Sequence, residues 1–487
     1  MIRRTLLSTL ILMTLAGCTV GPEHGVPTSD VRPEWAAELD AGVAAESADL
    51  REWWRIFNDR ALDSLVDRAL DQSLDLREAA ARVREARALR GATAADQLPN
   101  VNVGGSAAYR RDSGRSFSGG FGGGGEEYSA YDAGFDMSWE IDVFGGVRRA
   151  VEAADADIDA AVESARDARV ILVSEVARNY VEFRSAQARL TIARQNVGTQ
   201  HDTLELTQDR FRAGLSTELL TAQARAQLES TRSVIPQLVT DLKRAAHRLD
   251  VLLGLQPGTL APELEVAQPV PVTPDAVPVG FPAELLRRRP DIRRAERQLA
   301  AATARIGVAT ADLYPRFTLN GSFGFAAEEL GDLFDGESRA WSIGPAAVRW
   351  PIFDAGRIRS NIRVQEARQE VALVGYERTV LQSYEEVANA MVSYARQHER
   401  RRSLAQAVDA NRYAFELAND LWTRGLTDFL NVLDTQRELF ARQDELAASD
   451  AQVATSLIAL YKALGGGWDD QPDTESASGS TPDAQAH

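Results

Sequence analysis

The chain has 487 residues, 44% hydrophobic and 26% charged, which is the composition of a folded, water-facing protein. Its formal net charge of −17 excludes a nucleic-acid partner, because phosphate binding needs a positive surface. The basic runs Arg287-Arg288-Arg289 and Arg400-Arg401-Arg402 lie inside helical patterns and read as solvated helix faces.

Met1-Ile2-Arg3-Arg4 is a short basic start, and Thr5 to Leu15 is an apolar stretch too short to span a bilayer as a mature helix. Leu15-Ala16-Gly17-Cys18 follows and resembles the bacterial lipoprotein processing box, with small residues before the cut and a thiol to accept a diacylglyceryl group. One acyl chain holds weakly, at about 0.8 kcal/mol per buried methylene, so a triacylated cysteine is the expected anchor. Residues 1–17 are therefore expected to be a lipoprotein signal peptide, Cys18 the lipidation site, and 18–62 a lipid tether and periplasmic segment. Thr19 stands where an Asp is associated with inner-membrane retention, which by analogy favours the outer membrane. Cys18 is the single cysteine, so no intramolecular disulfide forms. Past it there is no apolar run long enough for a transmembrane helix, so a membrane crossing would have to use β-strands.

An internal repeat organises the rest. Asp75-Leu76-Arg77-Glu78-Ala79 is echoed by Asp291-Ile292-Arg293-Arg294-Ala295, and Ala95-Asp96-Gln97-Leu98-Pro99 by Ala311-Asp312-Leu313-Tyr314-Pro315, both 216 residues on. Farther along the spacing becomes 211: Glu175-Val176-Ala177 matches Glu386-Val387-Ala388, Gly214-Leu215 matches Gly425-Leu426, and Leu253-Gly254 matches Leu464-Gly465. The extra length of the first copy lies in the interval that holds the Gly-rich stretch Gly119–Gly125, which reads as a flexible cell-surface loop. The copies are placed at 63–254 and 282–465, joined by a Pro-rich link over 255–281 that is expected to run across the outside, and followed by a disordered acidic tail over 466–487.

Each copy reads as helix, strand, loop, strand, then two long helices. The first helices, over roughly 64–98 and 282–314, stop near Pro99 and Pro315. Val101, Val103 and Tyr109 alternate with Asn102, Ser106 and Arg110, and Tyr131, Phe135, Met137 and Trp139 with Asp132, Asp136, Ser138 and Glu140. Phe317, Leu319, Phe323 and Phe325 alternate with Thr318, Asn320 and Ser322, while a fourth candidate over 341–352 alternates poorly and contains Pro345. About ten residues each suits membrane-crossing strands. Phe183, Leu190, Val197, Leu204 and Phe211 then recur every seven residues, as do Leu228, Ile235, Leu242 and Leu249, and in the second copy Leu439, Leu446, Val453 and Leu460. Sustained sevens predict helices packed in coiled-coil fashion. The one over 148–211 would run about 95 Å, and Pro236 is expected to interrupt and bend its successor.

Four strands cannot close a barrel, and an open edge in lipid leaves backbone groups unsatisfied at several kcal/mol each. Two chains would pool eight strands, which side chains fill, whereas three would pool twelve and leave a lumen.

Five motifs in order resemble the TolC/OprM-like outer-membrane factors, of which the NodT-type efflux lipoproteins are part. They are Cys18-Thr19-Val20-Gly21-Pro22, Trp139-Glu140-Ile141-Asp142-Val143-Phe144-Gly145, Leu285-Leu286-Arg287-Arg288-Arg289-Pro290-Asp291, Pro351-Ile352-Phe353-Asp354-Ala355-Gly356-Arg357, and Phe429-Leu430-Asn431-Val432-Leu433-Asp434-Thr435-Gln436-Arg437. The resemblance covers essentially the whole mature chain. It implies an α+β membrane protein: a homotrimer with a 12-stranded transmembrane β-barrel, four strands per chain, continued by a periplasmic α-helical barrel. It further implies the passive exit duct of a tripartite RND-type efflux pump exporting drugs or other small toxic compounds, docking to a periplasmic membrane-fusion adaptor and an inner-membrane RND transporter, in contact with outer-membrane lipid. No cofactor is implied beyond the lipid on Cys18.

The helix-to-helix turns at Gly214-Leu215 and Gly425-Leu426 would be the periplasmic tips. Glycine there ends one helix, and the following Ser, Thr or Asp can cap the next. By the resemblance these tips meet the adaptor, and Asn431 and Asp434 occupy the pair of positions that carries two acids at the pore constriction. Asn431 departs from that pattern, leaving one ring neutral, and Asp434 reads equally well as a solvated surface residue. His24, His201, His247, His398 and His487 form no metal-ligand spacing, and no nucleophile motif occurs, so no catalytic or metal site is expected. Two other readings remain open: a duct for type I protein secretion, and a periplasmic coiled-coil scaffold lipoprotein that conducts nothing.

Overall fold

A computed structural model describes residues 19–27, 43–44, 50–111, 127–274, 277–278 and 287–468. Cys18, the Gly119–Gly125 stretch and the tail from 469 lie outside the described residues. The order is β1 (Val43–Ala44), a 3₁₀ turn (Trp53–Phe57), α1 (Arg60–Gln72), α2 (Leu74–Ala95), β2 (Asn100–Arg111), β3 (Glu127–Ile141), α3 (Gly146–Arg212) and α4 (Glu218–Leu252). Then follow β4 (Val277–Pro278), α5 (Pro290–Ala311), β5 (Arg316–Ala327), β6 (Arg339–Arg349), α6 (Arg357–Thr423) and α7 (Phe429–Ala463). The repeat is plain in the lengths: α3 and α6 have 67 residues each, α4 and α7 have 35 each. At 1.5 Å per residue, α3 and α6 are each about 100 Å long.

The chain forms two compact units, one over 1–29, 81–162 and 294–378, the other over 30–80, 163–293 and 379–487. The first holds a four-stranded antiparallel sheet in the order β2-β3-β5-β6. β6 is the strand whose sequence alternates poorly, and the register explains why. Ala346 pairs with Leu319 and Ile343 with Gly321, so Gly344 and Pro345 together oppose Asn320 in a β-bulge. A bulge tolerates the missing N–H of proline and shifts the alternation by one residue. At the helix-to-strand corners the copies make the same bond: Trp139 Nε1 donates to the Gln97 carbonyl and Trp350 Nε1 to that of Leu313, each at 3.0 Å.

The second unit carries the main core. Trp54, Leu62 and Leu65 pack with Val173, Val176 and Tyr180 of α3, Leu249 of α4, Tyr394 of α6, and Leu457 and Leu460 of α7. Several expectations are corrected here. The first helix is broken at Ser73, whose ψ of 133° turns the chain between α1 and α2, and Asp59 caps α1 through the N–H groups of Ala61 and Leu62. Pro236 lies inside a continuous α4 and does not interrupt it. The Pro-rich link is not merely external: Leu260, Leu264 and Val277 are fully buried in the core. Asp250 accepts from the N–H groups of Gly258 and Leu260 at 2.7 and 2.8 Å, seating the segment against the end of α4. Gly466, Gly467 and Trp468, assigned to the tail, are buried too. Arg169 donates to the Gly467 carbonyl, and Trp468 stacks with Arg166 and Arg293.

Candidate channel site

Strand alternation sorts the sheet into two faces. One is apolar and exposed: Val103, Phe135, Phe323 and Trp341 form a row across all four strands, beside a second row of Val101, Met137, Gly321 and Ile343. Val103 is 74% exposed, Trp341 71% and Ile343 82%. A water-facing protein buries such a row, since each large apolar side chain is worth about 1.5–3 kcal/mol on burial. The opposite face is polar, with Asn102, Asp136, Ser322 and Ser342 in one row and Ser106 and Asp132 in another. Both outer strands, β2 and β6, pair on one side only.

The helix-to-helix turns are built alike. Gly214 (φ 74°) and Gly425 (φ 75°) adopt the left-handed conformation that ends a helix without a Cβ clash. The N–H of Gly214 donates to the Phe211 carbonyl and that of Leu215 to Arg210; Gly425 donates to Trp422 and Leu426 to Leu421. This is the Schellman pattern in both copies. The capping expectation fails on the next helix: Thr217 and Asp428 occupy the N-cap positions, but neither side chain makes a cap hydrogen bond. Leu215 and Leu426 stand out from their turns, 72% and 70% exposed.

Asn431 and Asp434 lie on one exposed face of α7, one turn apart. Asn431 Nδ2 donates to Thr427 Oγ1 at 2.8 Å, and Arg437 Nη2 donates to Asp434 Oδ1 at 2.9 Å. The Asp434–Arg437 pair is half exposed, so solvent screens it. Sequence reasoning missed what supports these turns. Trp422 packs on Phe429 with 4.9 Å between ring centroids, the Arg210 guanidinium stacks 4.7 Å over the Trp422 ring, and Leu204, Leu228 and Val432 complete the cluster. The signal was present in Phe429, Val432 and Leu433, spaced to share one helix face. His201, Asp202 and Glu205 bring ligand atoms within 4.8 Å of one another on α3, but all three are exposed and read as a solvated face.

The residues that follow Cys18 are anchored. Thr19 packs against Gly145, the Val20 N–H donates to the Phe144 carbonyl, and Arg149 Nε donates to the Val20 carbonyl at 3.1 Å. The chain thus begins its described course at the junction of β3 and α3.

The sequence profile of the family described as "Outer membrane efflux protein" matches residues 65–255 and 281–466, one stretch for each repeat. The chain belongs to that family. Over 95% of its length it is 32% identical to the toluene efflux pump outer membrane protein TtgF of Pseudomonas putida, covering 97% of that protein. It is 31% identical to the cation efflux system protein CusC of Escherichia coli, covering 95% of this chain and 98% of that one. The solved outer-membrane channel OprN superposes with a TM-score of 0.86 at 38% identity, covering 93% of this chain and all of OprN. This outer membrane efflux protein therefore has the TolC-like channel fold, mostly helical with a four-stranded sheet in each chain, and resides in the outer membrane. Its family is one of channels, components of efflux pumps.

Proposed function

We propose that three copies of this efflux protein pool their sheets into one 12-stranded barrel that crosses the outer membrane, and that α3, α4, α6 and α7 of the three copies wall a periplasmic tunnel. The carrying observation is the four-stranded sheet whose outer strands each pair on one side among the described residues, and whose apolar face carries an exposed row from Val103 to Trp341. In lipid that face needs no cover, and only closure onto further copies satisfies the edges. A non-conducting scaffold has no use for such a face, which disfavours that reading. The duct is passive, and an inner-membrane RND transporter supplies the energy through a periplasmic adaptor. Toluene and cations appear in the names of relatives at nearly equal identity, so overall likeness does not select the cargo. Cys18 carries the lipid anchor, next to the β3–α3 junction where Thr19 docks. The test is native mass in mild detergent. Wild type is expected to run as a trimer with acyl mass on Cys18, and Cys18→Ser as a trimer without it. A monomer released by carbonate washing would sink the barrel.

The exposed Leu215 and Leu426, held out by rigid Schellman turns, are the adaptor-contacting points, with Gly214 and Gly425 as their supports. Leu426→Asp is expected to cut adaptor crosslinking and export at least about tenfold, as removal of a central apolar contact does, with trimer yield unchanged. Unchanged crosslinking in Leu215→Asp/Leu426→Asp would remove these tips from the interface. Asn431 and Asp434 form the constriction in this reading, with Asp434 as its single acidic ring.

A further inference from the structure

The polar face of the sheet carries a charge pattern that the duct reading does not use. Its cross-strand rows can be followed one by one. Asp136 lies between Asn102 and Ser322, with Ser342 beyond, and Asp132 lies between Ser106 and Ala326. Between them runs a row with almost no side chains: Gly104, Gly134, Gly324 and Ala340. At Gly134 and Gly324 that bareness is enforced by close approach. A Cβ on Gly134 would come 2.7 Å from the Gly324 Cα, and one on Gly324 would come 2.5 Å from the Ala133 carbonyl oxygen.

Among the described residues the two carboxylates have neutral hydrogen-bond donors only: Ser106 Oγ donates to Asp132 Oδ1 at 2.5 Å, and Asn102 Nδ2 to Asp136 Oδ2 at 3.3 Å. The other charged groups of this face lie toward the strand ends. Glu140 has Arg316 at 3.6 Å, Arg316 also holds Asp312, Arg349 sits opposite Arg316, and Arg110 lies two rows beyond Asp132 opposite Tyr128. The middle of the face therefore keeps two uncompensated negative charges per chain, about 14 Å apart along β3 at about 3.4 Å per residue.

The geometry points to Asp132 and Asp136 as the charge-selecting element of the barrel, favouring cationic and zwitterionic solutes over anions. The inference rests on the pooled-barrel reading, in which the polar face lines the lumen and each aspartate repeats as a ring of three. Fixed carboxylates along a water-filled pore raise the local cation concentration within about one Debye length, which is about 30 Å at 0.01 M salt but about 3 Å at 1 M. In a wide lumen the selectivity must therefore be strong at low salt and vanish at high salt.

The test is reversal potential under a KCl gradient across planar bilayers holding the purified full-length protein, at low and high mean salt. Asp132→Asn/Asp136→Asn keeps the shape and an acceptor for Ser106 while removing the charge, and Asp434→Asn serves as the comparison. The wild-type potassium-to-chloride permeability ratio is expected above one at low salt and to drop roughly twofold or more in the double variant, with the two converging at high salt. An unchanged ratio in a conducting double variant, or a loss carried wholly by Asp434→Asn, would overturn the assignment while leaving the duct intact. A wild-type trimer that does not conduct at all would instead overturn the duct reading, and this assignment with it.

Discussion

Phe323→Arg is expected to abolish accumulation of the assembled protein in the outer membrane, whereas Ser322→Arg, one residue away, is expected to be tolerated. Phe323 sits in the apolar row with Val103, Phe135 and Trp341, and Ser322 sits on the opposite face beside Asp136. An arginine at mid-depth on a lipid-facing strand costs about 2–4 kcal/mol, and a closed trimer would incur that cost three times. On the lumen side the same side chain meets water and a neighbouring carboxylate. Heat-resistant oligomer in outer-membrane fractions, compared between the two variants by gel mobility, reads the difference. Equal accumulation would mean that the exposed apolar row does not face lipid.

The second large effect belongs to Arg184, 2% exposed in the core of the second unit. Its Nε donates to the Tyr180 hydroxyl at 3.0 Å, and its Nη1 donates to Gln187 Oε1 at 2.7 Å and to the Val266 carbonyl at 3.0 Å. Tyr180 in turn donates to Asp59 Oδ2 at 2.7 Å, the carboxylate that caps α1. Burial, with the Asp59 acceptor, pushes the Tyr180 hydroxyl well above its usual range, so it remains a donor at all working pH. One side chain thus ties the start of α1, the middle of α3 and the Pro-rich link together. Arg184→Met fills similar space but leaves two buried acceptors unpaired, at about 1–3 kcal/mol each. The urea midpoint for unfolding of this unit is expected to fall by the equivalent of about 2–6 kcal/mol. Val266→Ala, which keeps the carbonyl and trims an exposed side chain, is expected to leave it unchanged. A small effect of Arg184→Met would show that the link is held without Arg184, by Asp250 and the buried Leu260, Leu264 and Val277.

The parts that were readable from sequence were those governed by periodicity. Sevens from Phe183 to Leu204 and from Leu228 to Leu249 marked the long helices, and the prolines at 99 and 315 marked the corners, because a ring without an N–H disfavours a continuing helix, although Pro236 is carried inside α4. Alternation found three strands and stumbled on β6, where one extra residue reverses inside and outside without changing composition. The buried Pro-rich link was illegible for a different reason. Its apolar residues, Leu260, Leu264 and Val277, follow no period, since they are placed by a partner surface and not by a regular backbone. The turns were legible in their glycines and not in their side-chain caps, because a cap depends on a side-chain rotamer that spacing does not specify. The cluster of Arg210 with Trp422 and Phe429 joins helices far apart in sequence, and only packing brings it together.

The corner bonds of Trp139 and Trp350 carry a consequence for bilayer thickness. An indole settles where hydrocarbon gives way to headgroups, and here its N–H is already committed to a carbonyl at the end of a helix. The ring cannot ride up or down with its lipid surroundings unless the corner itself unravels. Strands of 11 to 15 residues tilted by about 40° span about 28–38 Å, enough to cross one hydrocarbon core of about 30 Å. For a barrel built of these strands, a membrane that thins or thickens therefore has its mismatch taken up at the far rim or by the lipid. In the pooled-barrel reading, the rim that carries Trp139 and Trp350 is the fixed one, and the strand ends opposite it adjust.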